Sequence, residues 1–122
     1  MSDPLTDLLV RNLAEVFGER DASRRNAAME SLYAEDAVFY EGTEAFRGRA
    51  AISAQVDRLL AGFPPEFVFT PAPAPSRNHD VGRMPWRLGP AGGPVVATGM
   101  DVARFEDGRI KALYVFLEGD RG

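Results

Sequence analysis

The sequence predicts an α+β domain in which three early helices pack on a curved, mixed but mostly antiparallel sheet that forms a cone with an internal pocket. Three observations predict it. Helical periodicity is concentrated in the first half of the chain, strand-like segments fill the second half, and Glu106-Asp107-Gly108 reads as a tight turn joining two long strands. Helices followed by a run of strands is the order of an α+β fold, not the alternating order of a parallel sheet.

Ser2 or Asp3 followed by Pro4 reads as a helix start, because proline fits the first turn, where the amide has no internal partner. Leu5, Leu8, Leu9, Leu13, Val16 and Phe17 then share one helical face, and Gly18 can close it. Asp21 and Ser23 offer caps for a second helix that carries Met29, Leu32 and Tyr33 and ends near Ala34. Residues 37–41 are β-branched and aromatic and stop at Gly42, which reads as a short strand. The third helix has Ile52, Val56, Leu59, Leu60 and Phe63 on its apolar face, and Pro64-Pro65 ends it because two successive amide protons are missing.

Phe67-Val68-Phe69 makes the next strand, and Pro71, Pro73 and Pro75 confine the segment after it to a sheet edge or a connecting loop. Residues 77–89 read as a strand interrupted near Pro85, 90–94 as a loop, and 95–105 as a long strand paired through the turn with 110–118. Glycines such as Gly99 let this hairpin bend around a helix, leaving a hollow lined by one sheet face. No internal repeat or linker divides the chain, so residues 1–122 read as a single domain.

Charge narrows the function. The net charge of -4 repels phosphate backbones, and basic runs such as Arg24-Arg25 lack interleaved aromatics, so no nucleic acid is expected as a partner. The acidic start, Met1-Ser2-Asp3-Pro4, is unlike a signal peptide, and no apolar stretch approaches the roughly 20 residues needed to cross a bilayer. The absence of cysteine removes thiolate chemistry and disulfides and fits a reducing cytoplasm. With a single histidine as well, a histidine-rich metal site is not expected.

Asp101 stands between Met100 and Val102 in an apolar strand, and a buried, unpaired carboxylate is costly enough to call for an explanation. Alternation puts Ala97, Gly99, Asp101, Ala103 and Phe105 on one face, where the small side chains leave room for a ligand. The opposite face, with Val96, Thr98, Met100, Val102 and Arg104, is free for a partner subunit. His79, Asp80, Arg83 and Trp86 form a polar and aromatic cluster; His79 and Arg83 share parity and can both face the pocket, or His79 can be a hydrogen-bonded edge residue and Trp86 core. Asp36 reads as a turn residue accepting backbone amides. Arg47-Gly48-Arg49 opens the third helix and can hold an anion, although it is no phosphate loop.

The stretches Leu32-Tyr33-Ala34-Glu35-Asp36-Ala37-Val38-Phe39-Tyr40-Glu41, Phe46-Arg47-Gly48-Arg49 and Thr98-Gly99-Met100-Asp101-Val102-Ala103-Arg104-Phe105-Glu106-Asp107-Gly108-Arg109-Ile110 resemble the ketosteroid isomerase and SnoaL-like group of the nuclear transport factor 2-like superfamily. The resemblance spans nearly the whole chain. It implies a cystatin-like roll, a homodimer through the outer sheet face and, since this scaffold hosts enzymes and binders alike, several functions. One is a cofactor-independent isomerase, cyclase or lyase acting on a small hydrophobic carbonyl compound of polyketide, terpenoid or steroid type. The alternative is a non-catalytic small-molecule-binding or dimerisation module, and the third is an epoxide hydrolase in which Arg83, Asp101 and Glu41 stand in for an Asp-Arg-Asp set.

For the first function the resemblance implies that Glu41 is the general base, Asp101 the acid that hydrogen-bonds a developing oxyanion, and His79 a proton relay. Glu41 can equally be a solvent-exposed residue at a strand end, and Asp101 a structural aspartate. Arg83, Trp86, Tyr40, Leu13, Phe17, Val56 and Gly99 complete the expected pocket wall, and Leu13 stands where the isomerases look to place a tyrosine.

Overall fold

The computed structural model describes residues 3–118. Helix α1, Pro4–Asn12, is capped by Asp3, whose side chain accepts from the amide of Leu5; Ser2 lies outside the described residues. The helix does not run straight to Gly18. It widens into a π-helical turn over Leu13–Phe17, and Gly18 caps that turn.

Helix α2, Ala22–Leu32, starts at Asp21, which accepts from the amides of Ser23 and Arg24. Strand β1, Tyr33–Glu41, follows with no connecting residue, so Tyr33 and Ala34 belong to the sheet and not to the helix end. A tight turn at Gly42, with φ of +60°, leads to β2, Glu44–Arg47, a four-residue strand that the sequence pattern does not predict. Helix α3, Arg49–Ala61, comes next. The Arg49 guanidinium is taken up by the carbonyls of Tyr33 and Glu30, so it ties helix to strand and is not presented to an anion.

The rest is sheet: β3, Phe67–Pro71; β4, Ser76–Asn78; β5, Val81–Pro90; β6, Ala97–Glu106; and β7, Arg109–Glu118. The order is β2-β1-β7-β6-β5-β3, with β4 pairing β5 beyond β3. Only β1 and β7 run parallel. Pro85 does not interrupt β5. Its missing N–H faces the gap where β5 changes partner, from β3 at Pro71–Trp86 to β4 at Ser76–Arg83, and its carbonyl accepts from Ala72 in that gap. The β6–β7 hairpin closes through Asp107 and Gly108, with φ of +53° and +75°, the geometry of a two-residue hairpin turn.

The helices cover the inner sheet face. Leu9, Val16, Met29, Leu32, Ile52 and Val56 pack against Phe39, Met84, Ala103 and Leu113, all almost without solvent exposure. Arg25 is buried as well. It bonds Ser53, the carbonyl of Glu19 and Asp57, clamping α2 to α3. Asp36 pairs with Lys111 on the surface instead of accepting neighbouring amides across a turn, and the lysine lowers its carboxyl pKa. Among the described residues no helix is long and apolar enough to cross a membrane.

Candidate active site

Register places the two candidate acids. Glu41 on β1 is opposite Val115 on β7, Val115 is opposite Asp101 on β6, and Asp101 is opposite Met84 on β5. Residues in such a row share a face of the sheet, so both carboxylates face the helices, two strand spacings or roughly 10 Å apart at the backbone. Both line one cavity of ≈ 250 Å³.

The remaining wall is apolar. Leu13 and Phe17 come from the π-helical turn, Leu59 from α3, and Phe39, Phe69 and Trp86 from the sheet. The rings meet edge to face, Phe17 on Phe39 at 5.4 Å and Phe69 on Trp86 at 5.3 Å between centroids, an arrangement that suits their quadrupoles. Val96 and Leu117 line the cavity and are 59% and 68% exposed, so its mouth opens between them.

Asp101 is 4% exposed, and burial raises its carboxyl from 3.8 to about 7, against a smaller opposing effect of a hydrogen bond from Trp86. That bond runs from the indole Nε1 to Oδ1 at 2.9 Å. An indole N–H can only donate, so Oδ1 accepts, which favours Oδ2 as the oxygen that carries the proton of neutral Asp101. Gly99 makes this possible. It sits opposite Trp86, and a Cβ there would lie 2.2 Å from the indole Cζ2, inside the ring. Gly99 therefore shapes the site from beneath Trp86 and does not itself line the cavity.

Glu41 is tied from the helix side. Gln55 Nε2 donates to its Oε1 at 3.0 Å, and Arg58 Nε donates to Gln55 Oε1 at 2.8 Å. Glu41 also borders a second cleft, with Glu44, Phe46, Gln55 and Arg58. Gln55 and Arg58 were not among the sequence candidates, although Gln55 lies one helical turn before Leu59, on the pocket side of α3.

Of the other expected residues, Trp86, Leu13 and Phe17 line the cavity and five do not, Gly99 and the four that follow. The reading of residues 77–89 puts His79 within a strand, but it lies in the exposed turn between β4 and β5 at φ of +56°, its Nδ1 2.7 Å from Asn78 Oδ1. Arg83 points out of the other sheet face to Ser76, because the inward set on β5 is Gly82, Met84, Trp86 and Leu88. Tyr40 likewise faces outward and stacks on Tyr114 at 4.6 Å, while its neighbours Phe39 and Glu41 face the cavity. Val56 is wholly buried in the core behind the wall. Tyr33 is also behind it. Its hydroxyl donates to Asn12 Oδ1, and burial, then the nearby Asp101 charge, push its pKa well above the ordinary value, so it stays protonated.

A sequence profile of the SnoaL-like domain matches residues 10–113, and the chain belongs to that family. Among solved structures it is similar to a proposed isomerase of the SnoaL-like family from Agrobacterium tumefaciens, with a TM-score of 0.86 at 27% identity over 95% of this chain and 98% of that one. A proposed polyketide cyclase from Sinorhizobium meliloti matches with a TM-score of 0.67 at 19% identity over 89% and 93% of the two chains. A proposed ketosteroid isomerase from Kribbella flavida matches with 0.71 at 17% over 98% and 81%. The last two likenesses establish the shared fold of three helices on an open mixed sheet. No curated protein matches the chain.

Proposed function

We propose that the chain is a cofactor-independent isomerase or cyclase that removes a proton beside the carbonyl of a small hydrophobic compound. The observation that carries this reading is the convergence of Glu41 and Asp101 on one apolar cavity, each with one oxygen tied to a protein N–H and the other left for a ligand. Glu41 takes the proton from the carbon as the C–H electron pair moves into the enolate. Neutral Asp101 donates from Oδ2 to the carbonyl oxygen, where the negative charge develops, among apolar walls that strengthen such a bond. The proton then returns from Glu41 to another carbon, or the enolate attacks a second carbonyl and closes a ring, and the proton held by Glu41 passes to the new alkoxide. Neither outcome needs a redox partner.

The cavity is at the small end of ligand pockets, which run from about 300 Å³ upward. A compound of one or two rings suits it better than a steroid. The aromatic walls favour a flat, conjugated body, with its acceptor beside Asp101 and its acidic carbon toward Glu41.

β-Tetralone tests this, having two rings, one carbonyl and a methylene activated by both ring and carbonyl. Proton NMR in D2O is expected to show the protein accelerating loss of that methylene signal well above buffer. Thermal stabilisation by β-tetralone with no acceleration would instead mark a binding module and overturn the catalytic reading.

We also propose that a second copy of the chain covers the outer sheet face. That face exposes Tyr114 and Phe116, the latter 55% exposed, beside the half-buried Met100 and Val102. Sedimentation is expected to show a dimer that Phe116→Glu dissociates; a wild-type monomer would rule it out.

A further inference from the structure

We propose that Gln55 and Arg58 are positioning residues that hold Oε1 of Glu41 and leave Oε2 aimed at the cavity as the basic atom, a role that rests on Glu41 acting as the base. The direction of each hydrogen bond carries it. A guanidinium can only donate, so the contact from Arg58 Nε assigns Oε1 of Gln55 as the acceptor and turns the amide nitrogen toward Glu41. The Gln55 Nε2 contact then occupies Oε1 of Glu41.

Arg58 is itself braced, its guanidinium carbon 5.9 Å from the centre of the Phe46 ring on β2. The groups facing Glu41 are therefore Glu44 across the β1–β2 hairpin, Gln55 and Arg58 on α3, and Asp101 across the cavity. Glu44 and Glu41 are like charges at paired positions, and Arg58 lines the same cleft. The parallel with Asp101 is chemical. Each acid meets one fixed N–H, from a different element, and each keeps one free oxygen.

The test uses β-tetralone exchange with Gln55→Ala, Gln55→Glu and Arg58→Ala, with thermal melting to establish that each variant folds. Gln55 is half-buried and Arg58 exposed, so the fold tolerates these changes. Gln55→Ala is expected to lower kcat about tenfold with KM unchanged, the signature of a misaimed base rather than a lost binding contact. Gln55→Glu keeps the shape and the Arg58 contact but sets a second carboxylate against Glu41, and its pH–rate profile is expected to move to the alkaline side. Arg58→Ala releases the amide and is expected to give a smaller fall of the same kind. Wild-type kcat and pH profile in both Gln55 variants, with an active parent, would overturn the positioning role alone. An inactive parent would overturn the Glu41 base, and this inference with it.

Discussion

Glutamine in place of Glu41 is expected to cost about 10²- to 10⁴-fold in the rate of β-tetralone exchange, the contribution typical of a positioned general base. The substitution is isosteric, and its amide oxygen still accepts from Gln55, so neither cavity volume nor the α3 contact needs to change. What goes is the one carboxylate among the described lining residues that borders both the cavity and the cleft beside it. KM is expected to stay near the parent value while kcat falls. Kinetics by NMR separate the two, and a variant that keeps its kcat would remove Glu41 from the mechanism.

Asp101 carries the second large effect. Leucine there removes the hydrogen-bond donor, and loss of one donor to a developing oxyanion costs about 10²–10³ in kcat. Asparagine is expected to fall between the two. Its oxygen still accepts from Trp86, which turns its NH2 toward the cavity as a weaker donor. The pH dependence distinguishes them. Wild-type activity that depends on neutral Asp101 is lost as pH rises through about 7, whereas the asparagine variant has no such limb.

Stability moves with the same proton. The folded carboxyl titrates near 7 and the unfolded one near 3.8, so between these values the folded chain holds a proton that the unfolded chain has released. Asp101 therefore makes the protein less stable as pH rises from 4 to 7, with the full cost of burying the charge present above 7. That cost is on the order of 4 kcal/mol. Asp101→Asn is expected to be the more stable protein at pH 8 and to lose that advantage near pH 4, read from denaturant midpoints at the two pH values. A pH-independent difference would contradict the raised carboxyl.

The fold was legible because its signals are local. Pro4 and the Asp107-Gly108 turn each act through a residue's own backbone, and the Asp101 face of β6 follows from alternation. Helix α3 stops before Pro64-Pro65, at Ala61 with Gly62 as its cap, which leaves Phe63 outside it. β2 was not legible: four residues with no apolar alternation become a strand only because β1 is there to pair with them. His79 misled for a related reason. Parity holds only within a strand, and His79 lies in the turn, so extending its parity to Arg83 selected the solvent face, while Trp86, taken for its aromatic body, was on the inner one. The apolar face of α3 indicates its rotation and sets Gln55 one turn before Leu59, but the Gln55–Glu41 contact also depends on how far α3 lies along β1, which the segment 49–61 does not reveal.

The parallel pairing of β1 with β7 has a kinetic consequence. The β6–β7 hairpin can close early through its two-residue turn, but β7 meets β1 only after a long loop has been drawn in, the entropic cost that makes distant pairings slow. Glu41 is brought alongside Asp101 by that pairing alone, with Val115 of β7 between them. The two carboxylates therefore meet only once β7 has paired with β1, and a chain with its hairpin and helices formed but β1 unpaired has no site.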